Sequence, residues 1–135
     1  MLDVKMTVDG YLLKGCCCTE AIVRTGLELL GQENEQMANA SVGLCLGMHA
    51  GLTCGALAGG ALLLSLFSRS LAATTMIPAL AEWFDSTYGM QYGSVSCEDI
   101  AGERQCHKPE RCKPLCLAVC EKCVELLTEN ELLPE

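Results

Sequence analysis

The chain has 135 residues, with 17 acidic side chains against nine basic ones, a formal net charge of -8 and 11 cysteines. That balance excludes a protein that grips nucleic acid through its phosphates, which is work for lysine and arginine, and two phenylalanines, three tyrosines and one tryptophan offer little for base stacking. A chain of this length reads as a single domain, residues 1–135, able to bury a core without disulfide staples, so the cysteines are expected to carry chemistry.

Met1 to Gly10 contains acids and a lysine but no apolar run of the signal-peptide kind. With an odd number of cysteines, this leads to the expectation of a reducing, cytoplasmic setting, where abundant cysteine serves metals or redox reactions. The acidic surface suits solubility or docking to a basic partner. Val42 to Phe67 carries one imidazole, His49, and no formal charge, and is long enough to cross a bilayer. Its glycines at 43, 47, 51, 55, 59 and 60, with Thr53 as a helix start in the middle, predict two short buried helices joined by a glycine turn, not a membrane span.

In chain order, the first predicted helix runs from about Leu12 to Leu30. Cys16, Val23, Leu27 and Leu30 form its apolar stripe, with Cys18, Ile22 and Leu29 beside it. Glu20, Arg24 and Glu28 lie opposite at i,i+4 spacing, and Gly31 ends it. Asn34 caps a second helix in which Met37, Ser41, Leu44 and Met48 recur until Gly47 and Gly51. Thr53 caps a third, with Cys54 its first residue and Phe67 near its end. Ser68 to Thr75 reads as a connection. Thr75 then caps a fourth helix whose apolar face is Ile77, Leu80, Ala81, Phe84 and Tyr88, with Pro78 tolerated in the first turn. Gly89 and Gly93 mark a loop.

Ser96-Cys97-Glu98-Asp99 has the form of a capping box and opens a short helix with Cys97 at its first position. Gly102 to Pro109 is turn-rich, and a last helix runs from about Cys112 to Leu127. No period-2 run of β-branched or aromatic residues occurs. The expected fold is all-α, a compact bundle of four main helices plus one short helix.

Position ranks the cysteines. Cys54 and Cys97 each follow a capping hydroxyl, and Cys112 opens the last helix between Arg111 and Lys113 with Lys108 nearby. Helix starts and cations both favour the thiolate, the form that binds metal or attacks a disulfide. Cys18, near the start of the first helix, is the natural fourth. Cys16, Cys17 and Cys18 cannot act together, because consecutive helical residues point about 100° apart. Cys112, Cys116, Cys120 and Cys123 fall within about 80° of one helix face, either a soft-metal stripe for Cu(I) or zinc or core filling alongside Leu127. His49 and His107 read as loop histidines, His49 being the better placed as a ligand or proton relay.

Cys54-Gly55-Ala56-Leu57-Ala58-Gly59 has the pattern C-G-A-x-x-G. With Gly15-Cys16-Cys17-Cys18-Thr19-Glu20 before it, and Tyr92 to Cys97 and Lys108-Pro109-Glu110-Arg111-Cys112 after it, the chain resembles the C_GCAxxG_C_C family of redox-active proteins. The family is related to the cysteine-rich domain of split-Soret cytochromes, which carry a [2Fe-2S] cluster. The resemblance implies Cys18, Cys54, Cys97 and Cys112 as cluster ligands or redox thiols, with Cys116 as the alternative fourth. Cys45 stands where the family leads one to expect a small residue. Cys120-Glu121-Lys122-Cys123 is followed by Val124, so covalent haem is not expected.

The leading expectation is thus a cytoplasmic electron-transfer protein holding one iron-sulfur cluster, of the [2Fe-2S] form, and serving a redox partner protein. The resemblance adds an anaerobic setting and a homodimer. The alternatives are a metal-free thiol/disulfide oxidoreductase, in which two of the four cysteines cycle, and a Cu(I) or zinc thiolate bundle. No hydrolytic or nucleotide-binding motif occurs and no residue is marked as catalytic, so whether the protein is an enzyme is left open.

Overall fold

The computed structural model describes residues 2–101 and 112–133. Among them the fold is helical, with no strand and a single isolated bridge between Thr53 and Ser96. The first helix, α1 (Val4–Leu13), was not anticipated. Asp3 caps it, its Oδ1 accepting from the Met6 amide at 3.1 Å. It ends where Gly15 takes φ +98° and the Cys16 amide turns back to the Tyr11 carbonyl at 3.1 Å, a glycine-mediated helix stop. The helix expected from Leu12 therefore begins later, as α2 (Cys18–Leu30), and it stops at Gly31 as expected. Arg24 on its outer face bonds Glu20 at 2.9 Å and Glu35 at 2.7 Å, tying α2 to the helix that follows.

That helix, α3 (Glu35–Ser41), is capped by Asn34, whose Oδ1 accepts from the Met37 amide at 3.0 Å. It is shorter than the sequence pattern implies. A 3-10 turn over Val42–Leu44 follows, and then Leu46, Gly47, Met48 and His49 all take positive φ, between 55° and 61°. The Leu52 amide closes this left-handed turn on the Gly47 carbonyl at 3.0 Å. Leu44 and Met48 therefore lie outside α3. The expected glycine turn between two short helices is present, but its hand is left.

α4 (Gly55–Phe67) leads into α5, which is continuous over residues 69–92. Ser68 caps α5 through the Leu71 amide at 3.2 Å, so the connection expected up to Thr75 is helix. Pro78 accounts for the first of two π irregularities in α5, the second being at Asp85–Gly89. The proline has no N–H to return to the preceding turn, and the ladder widens to a π segment at Ala72–Met76 immediately before it. Gly89 lies buried inside α5, not in a loop, and the helix ends at Gly93 with φ +90°. α6 (Cys97–Ala101) and α7 (Cys112–Glu129) complete the described fold.

α4 lies across α2, and α7 packs against α1 and α4, around a core that includes Ile22, Leu63, Leu64, Leu80, Phe84, Val119 and Leu127. Two glycines of the C-G-A-x-x-G pattern make the α2–α4 approach possible. A Cβ on Gly55 would come within 2.7 Å of Thr19 Oγ1, and one on Gly59 within 3.1 Å of Thr19 Cα. The Thr19 hydroxyl donates to the Gly55 carbonyl at 2.8 Å in the same buried seam. Among the described residues no helix is long and apolar enough to cross a membrane.

Candidate functional site: a buried group of thiols

Cys54 is the residue that caps α4, one position later than the sequence suggests, and Thr53 is exposed and engaged in the bridge to Ser96. The Cys54 amide donates to the Val95 carbonyl at 2.8 Å, and the Cys97 amide donates to the Leu52 carbonyl. These two bonds flank the Thr53–Ser96 pair and hold the starts of α4 and α6 side by side. Cys97 is the first residue of α6, as the capping box predicts, and Ser96 Oγ accepts from the Asp99 amide at 3.1 Å. Hydrogen bonds from Ser94 and Ser96 hold the Asp99 carboxyl below its usual range.

Cys18 is the first residue of α2 and Cys112 the first of α7, and both are buried. Cys97 and Cys112 lie near enough to Cys54 for each to oppose its ionisation. Cys116, one turn along α7, hydrogen-bonds Cys18 and feels Cys54 and Cys112. The fold therefore draws Cys18, Cys54, Cys97 and Cys112 toward one region of the core, with Cys116 among them. Lys113 is turned to α1, where it pairs with Asp9 at 2.8 Å. Lys108, Arg111 and His107 lie outside the described residues, as does the Lys-Pro-Glu-Arg sequence before Cys112.

The expectation that a helix start makes Cys54 a thiolate is reversed by burial. Desolvation raises its pKa to about 11, the Ala56 and Leu57 amides that favour the anion offset this only in part, and Cys97 and Cys112 raise it further. At Cys116 the hydrogen bond with Cys18 favours the thiolate, but complete burial and the neighbouring thiols outweigh it and push the group up. Isolated in this core, these thiols hold their protons at neutral pH. A bound cation would reverse that.

Cys120 and Cys123 sit deeper, in the apolar core with Leu63, Val119 and Leu127. Burial alone raises Cys123 to about 12, and burial first, then Cys123 and Glu121, raises Cys120 well above its usual value. Cys123 Sγ lies 3.7 Å from the Gly60 carbonyl. Their surroundings are those of small core residues. His49 is exposed, and its Nε2 bonds the Val42 carbonyl at 2.9 Å. It serves the left-handed turn.

The three consecutive cysteines part company, but not within one helix as expected, because α2 begins only at Cys18. Cys16 is half-buried beside Glu20, Cys17 caps α2, and Cys18 enters the core. Cys17 is joined to Cys45 in a disulfide, with Cα atoms 6.0 Å apart across 28 residues. Sequence reasoning missed this pair. The only hint was a cysteine at position 45 where a small residue was expected.

A [2Fe-2S] cluster takes four cysteine thiolates, two on each iron. The donor chemistry of Cys18, Cys54, Cys97 and Cys112 fits that group, as do their burial and the nearness of Cys97 and Cys112 to Cys54. Among the described residues no three Cys, His, Asp or Glu side chains converge so as to hold a single metal ion. Cys54 lies near Cys97 and Cys112, and Cys116 lies near Cys18, Cys54 and Cys112.

An all-α fold with several buried cysteines at helix starts places the chain among small cysteine-rich helical proteins. More particularly, the model of the family described as "Putative redox-active protein (C_GCAxxG_C_C)" matches residues 16–129, and the chain belongs to that family. No curated protein and no solved structure matches the chain significantly.

Proposed function

We propose that the protein transfers electrons by means of one [2Fe-2S] cluster held by Cys18, Cys54, Cys97 and Cys112, with Cys116 as the alternative to Cys112. The observation that supports this reading is the burial of thiols at four separate helix starts, with Cys54 electrostatically coupled to Cys97 and Cys112. Buried thiols that raise one another's pKa are poorly suited to thiolate chemistry in the absence of a cation, whereas iron compensates their charge. A bound cluster supplies one-electron chemistry. The chain supplies a dry apolar surround and, at Cys54, the amides of Ala56 and Leu57 directed at the sulfur, both of which tune a cluster's potential. The same reading puts the protein in the cytoplasm on its cysteine usage and, on the family resemblance, in an anaerobic cell as a homodimer that exchanges electrons with a redox protein.

The test is the iron and acid-labile sulfide content, with an absorption spectrum, of protein purified without oxygen. About two irons and two sulfides per chain, with visible bands that bleach on reduction, are expected. Colourless, iron-free protein after reconstitution would overturn the reading. Copper or zinc in place of iron would favour a thiolate metal bundle.

A further inference from the structure

Outside the thiol group just described, the molecule holds a second pair of sulfurs at the surface end of the same core. Cys17 is half-buried at the cap of α2, while Cys45 is 2 % exposed and follows the 3-10 turn after α3. The two are joined, and their Cα separation of 6.0 Å lies within the range that a disulfide spans without backbone movement. Cys45 leads directly into the left-handed turn at Leu46–His49, and its Cα lies 3.7 Å from where a Cβ on Gly55 would stand. The pair therefore links the cap of α2 to the segment that precedes α4.

We propose that Cys17 and Cys45 form a reversible two-electron dithiol/disulfide site whose reductant is a small or protein-borne dithiol. The asymmetry of exposure sets the course of exchange. A thiolate of the dithiol attacks Cys17 Sγ, the accessible sulfur, and forms a mixed disulfide there as the Cys17–Cys45 bond breaks. Cys45 leaves as thiolate and takes up a proton. The second thiolate of the dithiol then attacks its own sulfur in the mixed disulfide and releases Cys17, which is also protonated. Two electrons and two protons pass to the protein, and the dithiol becomes a disulfide.

Cys16, adjacent in sequence, is half-buried and lies outside the joined pair. Cys45, held beside Cys17, can reclose the bond from the mixed disulfide, which makes the site reversible. The reaction does not require a cluster, so its test is independent of the preceding proposal.

The experiment equilibrates the full-length, metal-free protein with reduced and oxidised dithiothreitol at graded ratios. Acid quenching, alkylation and mass spectrometry then read the state of the Cys17 and Cys45 peptides. A single transition is expected in which a tenfold change in reductant ratio changes the open-to-closed ratio tenfold. A pair that opens only in denaturant, or one that never closes with oxidised dithiothreitol, would overturn the proposal. In Cys45→Ser, confirmed as folded by its helical circular dichroism, glutathione disulfide should add one glutathione at Cys17. Addition elsewhere, or none, would overturn the assignment of the attacked sulfur.

Discussion

Cys54 and Cys97 stand on either side of the same two-residue bridge: the amide of the first bonds Val95, the amide of the second bonds Leu52, and Thr53 pairs with Ser96 between them. Two helix starts distant in sequence are thereby fixed side by side by backbone hydrogen bonds. Side-chain substitution at either cysteine leaves that backbone link in place, so the effect of losing a thiol is separable from the effect of losing the fold.

On this basis Cys54→Ser is expected to remove or strongly destabilise the proposed cluster, whereas Cys123→Ser, a change in the apolar core beside Gly60, is expected to retain it. Iron and sulfide content per folded chain, with helicity measured on the same samples, decides the matter. Equal loss in both variants would remove Cys54 from the ligand set.

The raised thiol pKa values have a pH consequence for metal-free protein. Cys54 is held at about 11 and Cys123 at about 12, against 9.0 for an ordinary thiol. Between pH 9 and these values the unfolded chain has lost protons that the folded chain still holds, so stability falls as pH rises. The contribution is complete below pH 9 and is lost as pH passes through 11 and 12, at about 1.4 kcal/mol per pH unit for each thiol. Urea denaturation of metal-free protein from pH 7 to 10.5 should give a falling midpoint above pH 9. Cys123→Ala should flatten part of that fall, and an unchanged slope would contradict the assigned burial.

Gly59 allows α4 to approach α2 closely, since a Cβ there would meet Thr19 Cα at 3.1 Å and Ile22 Cβ at 3.2 Å. Neither neighbour is the tip of a flexible side chain. Gly59→Val should therefore cost about 1–3 kcal/mol through overpacking. A chemical-denaturation midpoint equal to that of the parent would show that the seam opens without cost.

The parts of the fold that were legible in the sequence are those set by local signals. Asn34 and Gly31 mark helix ends by capping chemistry, the apolar stripe through Val23 and Leu27 marks α2, and Ser96 announces α6. Cys18, Cys54, Cys97 and Cys112 were each singled out from their helix positions or the family pattern. Their approach to one another was not legible, because the bridge at Thr53 and Ser96 is a long-range backbone contact without a side-chain signature. The first helix was missed because Asp3 caps a segment whose apolar residues form only a weak stripe, leaving Val8 as its buried residue. Pro78 was read as a first-turn proline, whereas α5 absorbs it by widening the preceding turn into a π segment.

The left-handed turn was hidden for a different reason, and it supplies the last test. Glycine is the residue that visits positive φ routinely, yet Leu46, Met48 and His49 share the conformation with Gly47. For an L-residue it costs about 1–2 kcal/mol. Met48 is 60 % exposed, with φ 61° and ψ 33°, so removing its side chain sacrifices little packing. Met48→Gly relieves the steric cost and adds chain entropy to the unfolded state worth about 0.5–1 kcal/mol, leaving a net gain of about 0.5–1 kcal/mol. A higher urea midpoint with unchanged slope is the expected outcome. Destabilisation would mean that the Met48 side chain holds the turn, and with it the segment from Cys45 to Cys54, in place.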